Sequence, residues 1–257
     1  LDLKTPLLRS MEALNTHSLR ILRLFGDNET KRVSPNVGAE QEYFLVDKEM
    51  ADARTDLKLT GKTLMGAHPL KGQEDERHYC GSITERVAAF MNELDIELWK
   101  VGIITKTKHN EAAPCQHEMA PLYRSANISC DQNQIVMDMM KRVAERQGLA
   151  CLLAEKPFTG INGSGKHNNW SLGTDTGHNL LEPGKTPYDN AQFLIFLSAV
   201  IRAVDKHAML LRLACATASN DRRLGGFEAP PAVISVFLGD ELMAMIDKVR
   251  SNLEQPE

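Results

Sequence analysis

Glu40 and Glu42 stand two residues apart in the run Gly-Ala-Glu-Gln-Glu-Tyr-Phe-Leu-Val-Asp (38–47). Its aromatic and β-branched residues predict a strand. Side chains alternate along a strand, so both carboxylates point to one face. Like charges side by side repel, and such a pair belongs on a solvated edge or around a cation. Two more carboxylates, Glu111 and Glu118, flank Pro114 in the polar run 108–118, which lies in an otherwise apolar neighbourhood. Asn162-Gly163-Ser164-Gly165-Lys166-His167 adds an imidazole and two glycines, which let the backbone turn tightly and approach a ligand. Taken alone, this stretch also reads as a surface turn, and it is not a Walker A loop. Together, four carboxylates and one imidazole could supply two hard-cation sites. Oxygen-rich ligation suits Mg2+ or Mn2+ better than zinc. Two such ions can bridge a nucleotide's phosphates and neutralise charge during phosphoryl transfer.

The elements that must hold these residues read as follows. Apolar positions at helical spacing predict a helix over 6–25, ended by Gly26. A polar loop covers 27–35, the strand 38–47, and a Gly- and Pro-rich loop or insertion 48–81. A capping box from Ser82 to Glu85 predicts a helix stopping near Gly102. Strands are expected at 103–108 and around 116–119, since Pro114 and Pro121 argue against a helix there. A second capping box, Ser129 to Gln132, predicts a helix to about Gln147. An apolar strand follows at 149–154, a Gly- and Asn-rich turn at 157–169 and a short strand at 170–172. The spacing then predicts one long apolar helix over 188–214, a loop over 219–231 and a final helix over 232–253. Strands separated by helices, several of them short and acidic, indicate an α+β or mixed-sheet enzyme.

Composition narrows the function. The chain has 257 residues, 42% hydrophobic and 25% charged, with a net charge of −4. That balance offers no polyanion-binding surface, so nucleic acid is not an expected partner. No apolar run is long enough to span a membrane. The five cysteines are odd in number and lack a C-x-x-C pair, a pattern that fits a reducing cytoplasm. The first residue is Leu1, and no signal-peptide pattern follows it, so the chain reads as a fragment or a processed product. Bland readings attach to several residues. Trp99 and Trp170 are expected to be packing residues, and Met137, Met139 and Met140 helix core or surface. His109 and His117 are read as polar surface groups or supports of the ligands, His78 has no assigned role, and Cys115 has no matched base that would make it a nucleophile.

Four ordered motifs resemble the glutamine synthetases, most closely the large type III form: 38–47, His-Asn-Glu-Ala-Ala-Pro-Cys-Gln-His-Glu-Met-Ala-Pro (109–121), Asn-Gly-Ser-Gly-Lys-His-Asn-Asn-Trp-Ser (162–171) and Asn-Asp-Arg-Arg-Leu-Gly-Gly-Phe-Glu-Ala-Pro-Pro (220–231). The resemblance runs from about residue 24 to 245. It implies a curved, mainly antiparallel sheet lined with metal-binding glutamates and backed by helices. It implies that Glu42, Glu111 and Glu118 hold one Mg2+ or Mn2+ beside ammonia and glutamate, and that Glu40 and His167 are ligands of a second ion at the ATP phosphates. Asn162, Gly163 and Arg223 would bind substrate glutamate, and Glu228 would close the site and take a proton from ammonium. The implied reaction is ATP-dependent joining of ammonia to glutamate through γ-glutamyl phosphate, in a cytoplasmic homo-oligomer. Residues 1–257 would be part of the catalytic domain, without the N-terminal domain or the later E-x-R motif, and inactive alone. Arg222 and Gly226-Phe227 depart from the type III pattern. Two alternatives stay open: another ATP-dependent glutamate–amine ligase of the same superfamily, and a non-catalytic structural relative.

Overall fold

One strand organises the molecule. In the computed structural model, β1 spans Val33–Asp47 and is flanked on both edges along much of its length. The structure describes residues 2, 4–68, 70–223, 239–240, 243–244 and 247. In chain order, the helices are α1 (Lys4–Leu24), α2 (Lys48–Asp52), α3 (Thr55–Thr60), α4 (Glu85–Lys100), α5 (Ala126–Arg146), α6 (Ala191–Lys206), α7 (Ala208–Cys215) and α8 (Ala218–Arg223). The other strands are β2 (Thr105–Asn110), β3 (Gln116–Pro121), β4 (Arg124–Ser125), β5 (Leu149–Leu152) and β6 (Lys166–Thr174).

On one edge β1 pairs with β3 over Gln41–Phe44 and with β4 over Asn36–Val37, and β2 continues the sheet beyond β3. On the other edge it pairs with β6 over Val33–Gln41 and with β5 over Phe44–Asp47. Every pairing among the described residues is antiparallel, in line with the mainly antiparallel sheet that the resemblance implies. The strand begins five residues before its predicted start, at Val33 rather than Gly38. Pro35 and Asn36, both poor strand formers, hide this end. Pro35 is tolerated because it lies just outside the short β4 pair, where only β6 flanks β1.

Helices α4 and α5 back one face of the sheet. Phe90, Met91, Leu94 and Leu98 of α4 meet Val136, Met140, Val143 and Ala144 of α5 over Tyr43, Leu45 and Met119 of the sheet. Burying Phe90 alone contributes about 2–3 kcal/mol. A second cluster joins Leu22 of α1 to Val33, Leu172, Leu180 and Phe196. The methionines of α5 follow expectation: Met140 is core and Met139 packs against it.

Several expectations need correction. Segment 48–81 carries α2 and α3 rather than loop alone. Asp47 caps α2 by accepting from the backbone N–H of Glu49 and Met50, and Gly61 closes α3 in the left-handed conformation at φ 69°. Neither capping box forms. Helix α4 starts at Glu85 itself, after Thr84. Helix α5 starts after Ser125, because Ala126 and Ser129 belong to the same buried stripe as Asn133, Val136 and Met140. The long helix over 188–214 breaks at His207 into α6 and α7, and Asn190 caps α6 by accepting from Phe193 N–H at 3.0 Å. Residues 219–223, expected as loop, belong to α8. The remainder of the 219–231 loop lies outside the described residues, as does most of the 232–253 helix.

Candidate metal and substrate site

Register decides what shares a face. Glu42 of β1 lies directly opposite Glu118 of β3, and Glu118 lies opposite His109 of β2. On the other edge, Glu40 lies opposite His167 of β6. Opposed residues project from the same side of a sheet, so these five line the face away from α4 and α5. Glu111 sits in the turn after β2, where its N–H donates to the Gln116 carbonyl at 2.9 Å. The result is an open cleft of about 400 Å³ lined by Glu40, Glu42, Glu111, Glu118, His109 and His167, with Tyr79 and Thr107 at its rim.

Three of its four carboxylates are withdrawn from water. Glu42, Glu111 and Glu118 expose 2%, 5% and 6% of their surface. Among the described residues no lysine or arginine pairs with Glu40, Glu42 or Glu118; their charged neighbours are histidines. His109 Nε2 lies 3.0 Å from Glu118 Oε1 and its Nδ1 lies 3.6 Å from Glu111 Oε1. His167 Nδ1 lies 3.3 Å from Glu40 Oε2, and its Nε2 3.9 Å from Glu42 Oε1. Burial, and then the Glu40 carboxylate, push the Glu118 carboxyl above its ordinary range, partly offset by His109. Buried acids without a fixed cation are costly unless something positive is bound. The donor set fits a hard divalent cation. Two groups of three can each surround one ion, Glu40–Glu118–His167 and His109–Glu111–Glu118, with donor atoms within 4.8 Å of one another. Glu118 belongs to both, so the two candidate positions adjoin.

Glu42 is oriented. Its Oε2 accepts from Gly165 N–H at 2.8 Å and from Gln116 Nε2 at 3.2 Å, leaving Oε1 toward His167. Glu40 Oε1 accepts from Asn169 Nδ2 at 2.5 Å. Loop 162–165 is drawn against the same floor. Ser164 N–H donates to the Glu155 carbonyl at 2.7 Å, and a Cβ on Gly163 would collide with that carbonyl oxygen. Arg223 at the end of α8 lies against Gly163 and Gly165. Asn162 is buried, and its Nδ2 has no hydrogen-bond partner among the described residues. From Glu40 a further cavity of about 410 Å³ runs along the sheet past Gly38 and Asn36 to Tyr123 and Trp170.

The structure thus gathers Glu40, Glu42, Glu111, Glu118, His167, Asn162, Gly163 and Arg223 around one region, while Glu228 lies outside the described residues. His109, read from the sequence as a polar surface group or a support of the ligands, faces the cleft and contacts Glu118. Its signal was the His109-x-Glu111 spacing, which repeats that of Glu40 and Glu42. His117 is not a surface group: it is buried on the rear face beside Tyr43, with Nδ1 2.9 Å from Asn110 Oδ1. His78 also has a place, its Nδ1 2.7 Å from the Glu111 carbonyl oxygen. Trp99 and Trp170 are about half exposed rather than packed in the core.

The acidic antiparallel sheet face thus carries two adjoining groups of carboxylates and histidines that could each hold a cation, beside a glycine loop and an arginine. A family model described as glutamine synthetase, catalytic domain, matches residues 20–235. A glutamine synthetase of Butyrivibrio fibrisolvens is 58% identical over 96% of this chain and 35% of its own length. A type-3 glutamine synthetase of Dictyostelium discoideum is 52% identical over 99% of this chain and 35% of its own. Among solved structures, the Plasmodium falciparum glutamine synthetase is 21% identical with a TM-score of 0.58, covering 76% of this chain and 40% of that one, and shows a shared fold. The chain belongs to the glutamine synthetase catalytic-domain family. It spans about a third of the length of the curated relatives it matches.

Proposed function

We propose that this chain carries the metal and glutamate site of an ATP-dependent ligase that joins ammonia to L-glutamate. The observation that carries the reading is the double cation position on one sheet face, sharing Glu118, next to the Asn162–Gly165 loop and Arg223. On this reading Glu111 and Glu118 hold one Mg2+ or Mn2+ together with Glu42, which belongs to neither three-residue group but shares their sheet face. Glu40 and His167 hold the other, and His109, a member of the group with Glu111, steadies Glu118 and Glu111. Divalent ions here would neutralise charge on the transferred phosphoryl group.

This chain's own residues bind and orient. The Arg223 guanidinium suits a bidentate grip on a substrate carboxylate, and the unpartnered Asn162 amide supplies a donor beside it. ATP would lie along the cavity from Glu40 toward Trp170, its phosphates at the cation positions. The glutamate γ-carboxylate attacks the terminal phosphate, giving γ-glutamyl phosphate and ADP, and ammonia then displaces phosphate. Positioning and charge compensation account for the first step. The second needs neutral ammonia, and Glu228 is assigned to accept the proton from ammonium. Residues 1–257 then form part of one catalytic domain, within a homo-oligomer. Among the described residues no helix is long and apolar enough to cross a membrane.

The test is phosphate release from ATP with Mg2+, on the longest natural chain carrying this sequence. Release that requires both glutamate and ammonium supports the reading. Release that requires glutamate but ignores ammonium would move it to another amine.

A further inference from the structure

We infer that Gln116 is a positioning residue that ties three separate pieces of the site into one unit. Its side chain is fully buried, on the site face of β3, two residues before Glu118. Its Nε2 reaches Glu42 Oε2 at 3.2 Å, the Gly163 carbonyl at 3.1 Å and Ser164 Oγ at 3.3 Å. Its Oε1 accepts from Ala113 N–H at 3.1 Å, and its own carbonyl accepts from Glu111 N–H at 2.9 Å. One amide therefore touches the Glu42 carboxylate, the loop before His167 and the turn that carries Glu111. A primary amide suits the post because it donates on one side and accepts on the other without adding charge. A glutamate there would set a further carboxylate against Glu42, and a leucine or methionine would leave the Gly163 carbonyl and the Ala113 N–H without this partner.

The arrangement leaves Glu42 one free oxygen. Gln116 and Gly165 N–H hold Oε2, and Oε1 faces the cleft. Groups that orient a metal ligand in this way set its affinity, and losing them costs about 10–100-fold. The inference rests on the reading that Glu42 ligates a cation.

The experiment titrates Mn2+ into the longest natural chain by calorimetry, for wild type, Gln116→Met and Gln116→Asn, with thermal melting of each. Methionine keeps the length of the side chain and asparagine keeps the amide but not its reach, so at least one folded variant is expected. The expected result is a folded variant with Mn2+ affinity lowered about 10–100-fold and a raised KM for glutamate, from release of the Gly163 carbonyl. A lowered melting temperature with wild-type Mn2+ affinity would reduce Gln116 to a structural role and overturn the inference while leaving Glu42 in place. Wild type that binds no Mn2+ would remove the reading of Glu42, and the inference with it.

Discussion

The two faces of the sheet are buried to a similar degree and built from opposite chemistry. Behind it, Tyr43, Leu45 and Met119 are at most 3% exposed and pack with apolar side chains of α4 and α5. In front, Glu42 is 2% and Glu118 6% exposed, yet among the described residues their charged partners are histidines. A strand with period two can feed both faces at once, and β1 does so over Glu40–Leu45: Glu40, Glu42 and Phe44 forward, Gln41, Tyr43 and Leu45 backward. The difference separates stability from function. The rear face stabilises the fold, and the front face holds repulsion that a bound cation would relieve.

Truncating the rear face gives the largest expected effect on stability. Phe90→Ala removes a fully buried ring between α4 and the sheet and should lower unfolding free energy by about 3–5 kcal/mol in a denaturant titration. The next test is pH. Burial, then His78 and His109, pull the His117 imidazole from its ordinary 6.5 down to about 4. The unfolded chain protonates first, so stability is undiminished above pH 6.5 and falls as pH drops from 6.5 toward 4. The loss amounts to roughly 3 kcal/mol when fully developed. Stability measured across that window should show this slope, and His117→Gln should flatten it. The smallest effect has the opposite sign. Glu118→Gln removes a carboxylate that burial and Glu40 disfavour, so without metal the variant should melt slightly above wild type, and added Mg2+ should no longer raise its melting temperature.

Much of this was legible in the residues. The E-x-E spacing on a β-rich run was enough to put Glu40 and Glu42 on one face. The order of the four motifs identified the family. What stayed hidden was non-local. Nothing near Glu118 announces that β3 sets it against Glu42, since register is fixed by pairing across the sheet. His167 fell within a predicted turn because Lys166–Asn169 are polar; pairing with β1 overrode that propensity. The capping boxes at Ser82 and Ser129 misled because the helix boundaries followed buried stripes, as at Ala126 and Ser129. Gln116 gave no local signal, because its importance lies in contacts 47, 48 and 74 residues away.

The most direct test of the acidic face is a Mn2+ titration of wild type and Glu42→Ala, followed by calorimetry and electron paramagnetic resonance. Two bound ions per wild-type chain, with at least one weakened by about 100-fold or more in a folded variant, is the predicted result. Equal binding by both proteins, or none by wild type, would contradict the assignment of this face as a cation site.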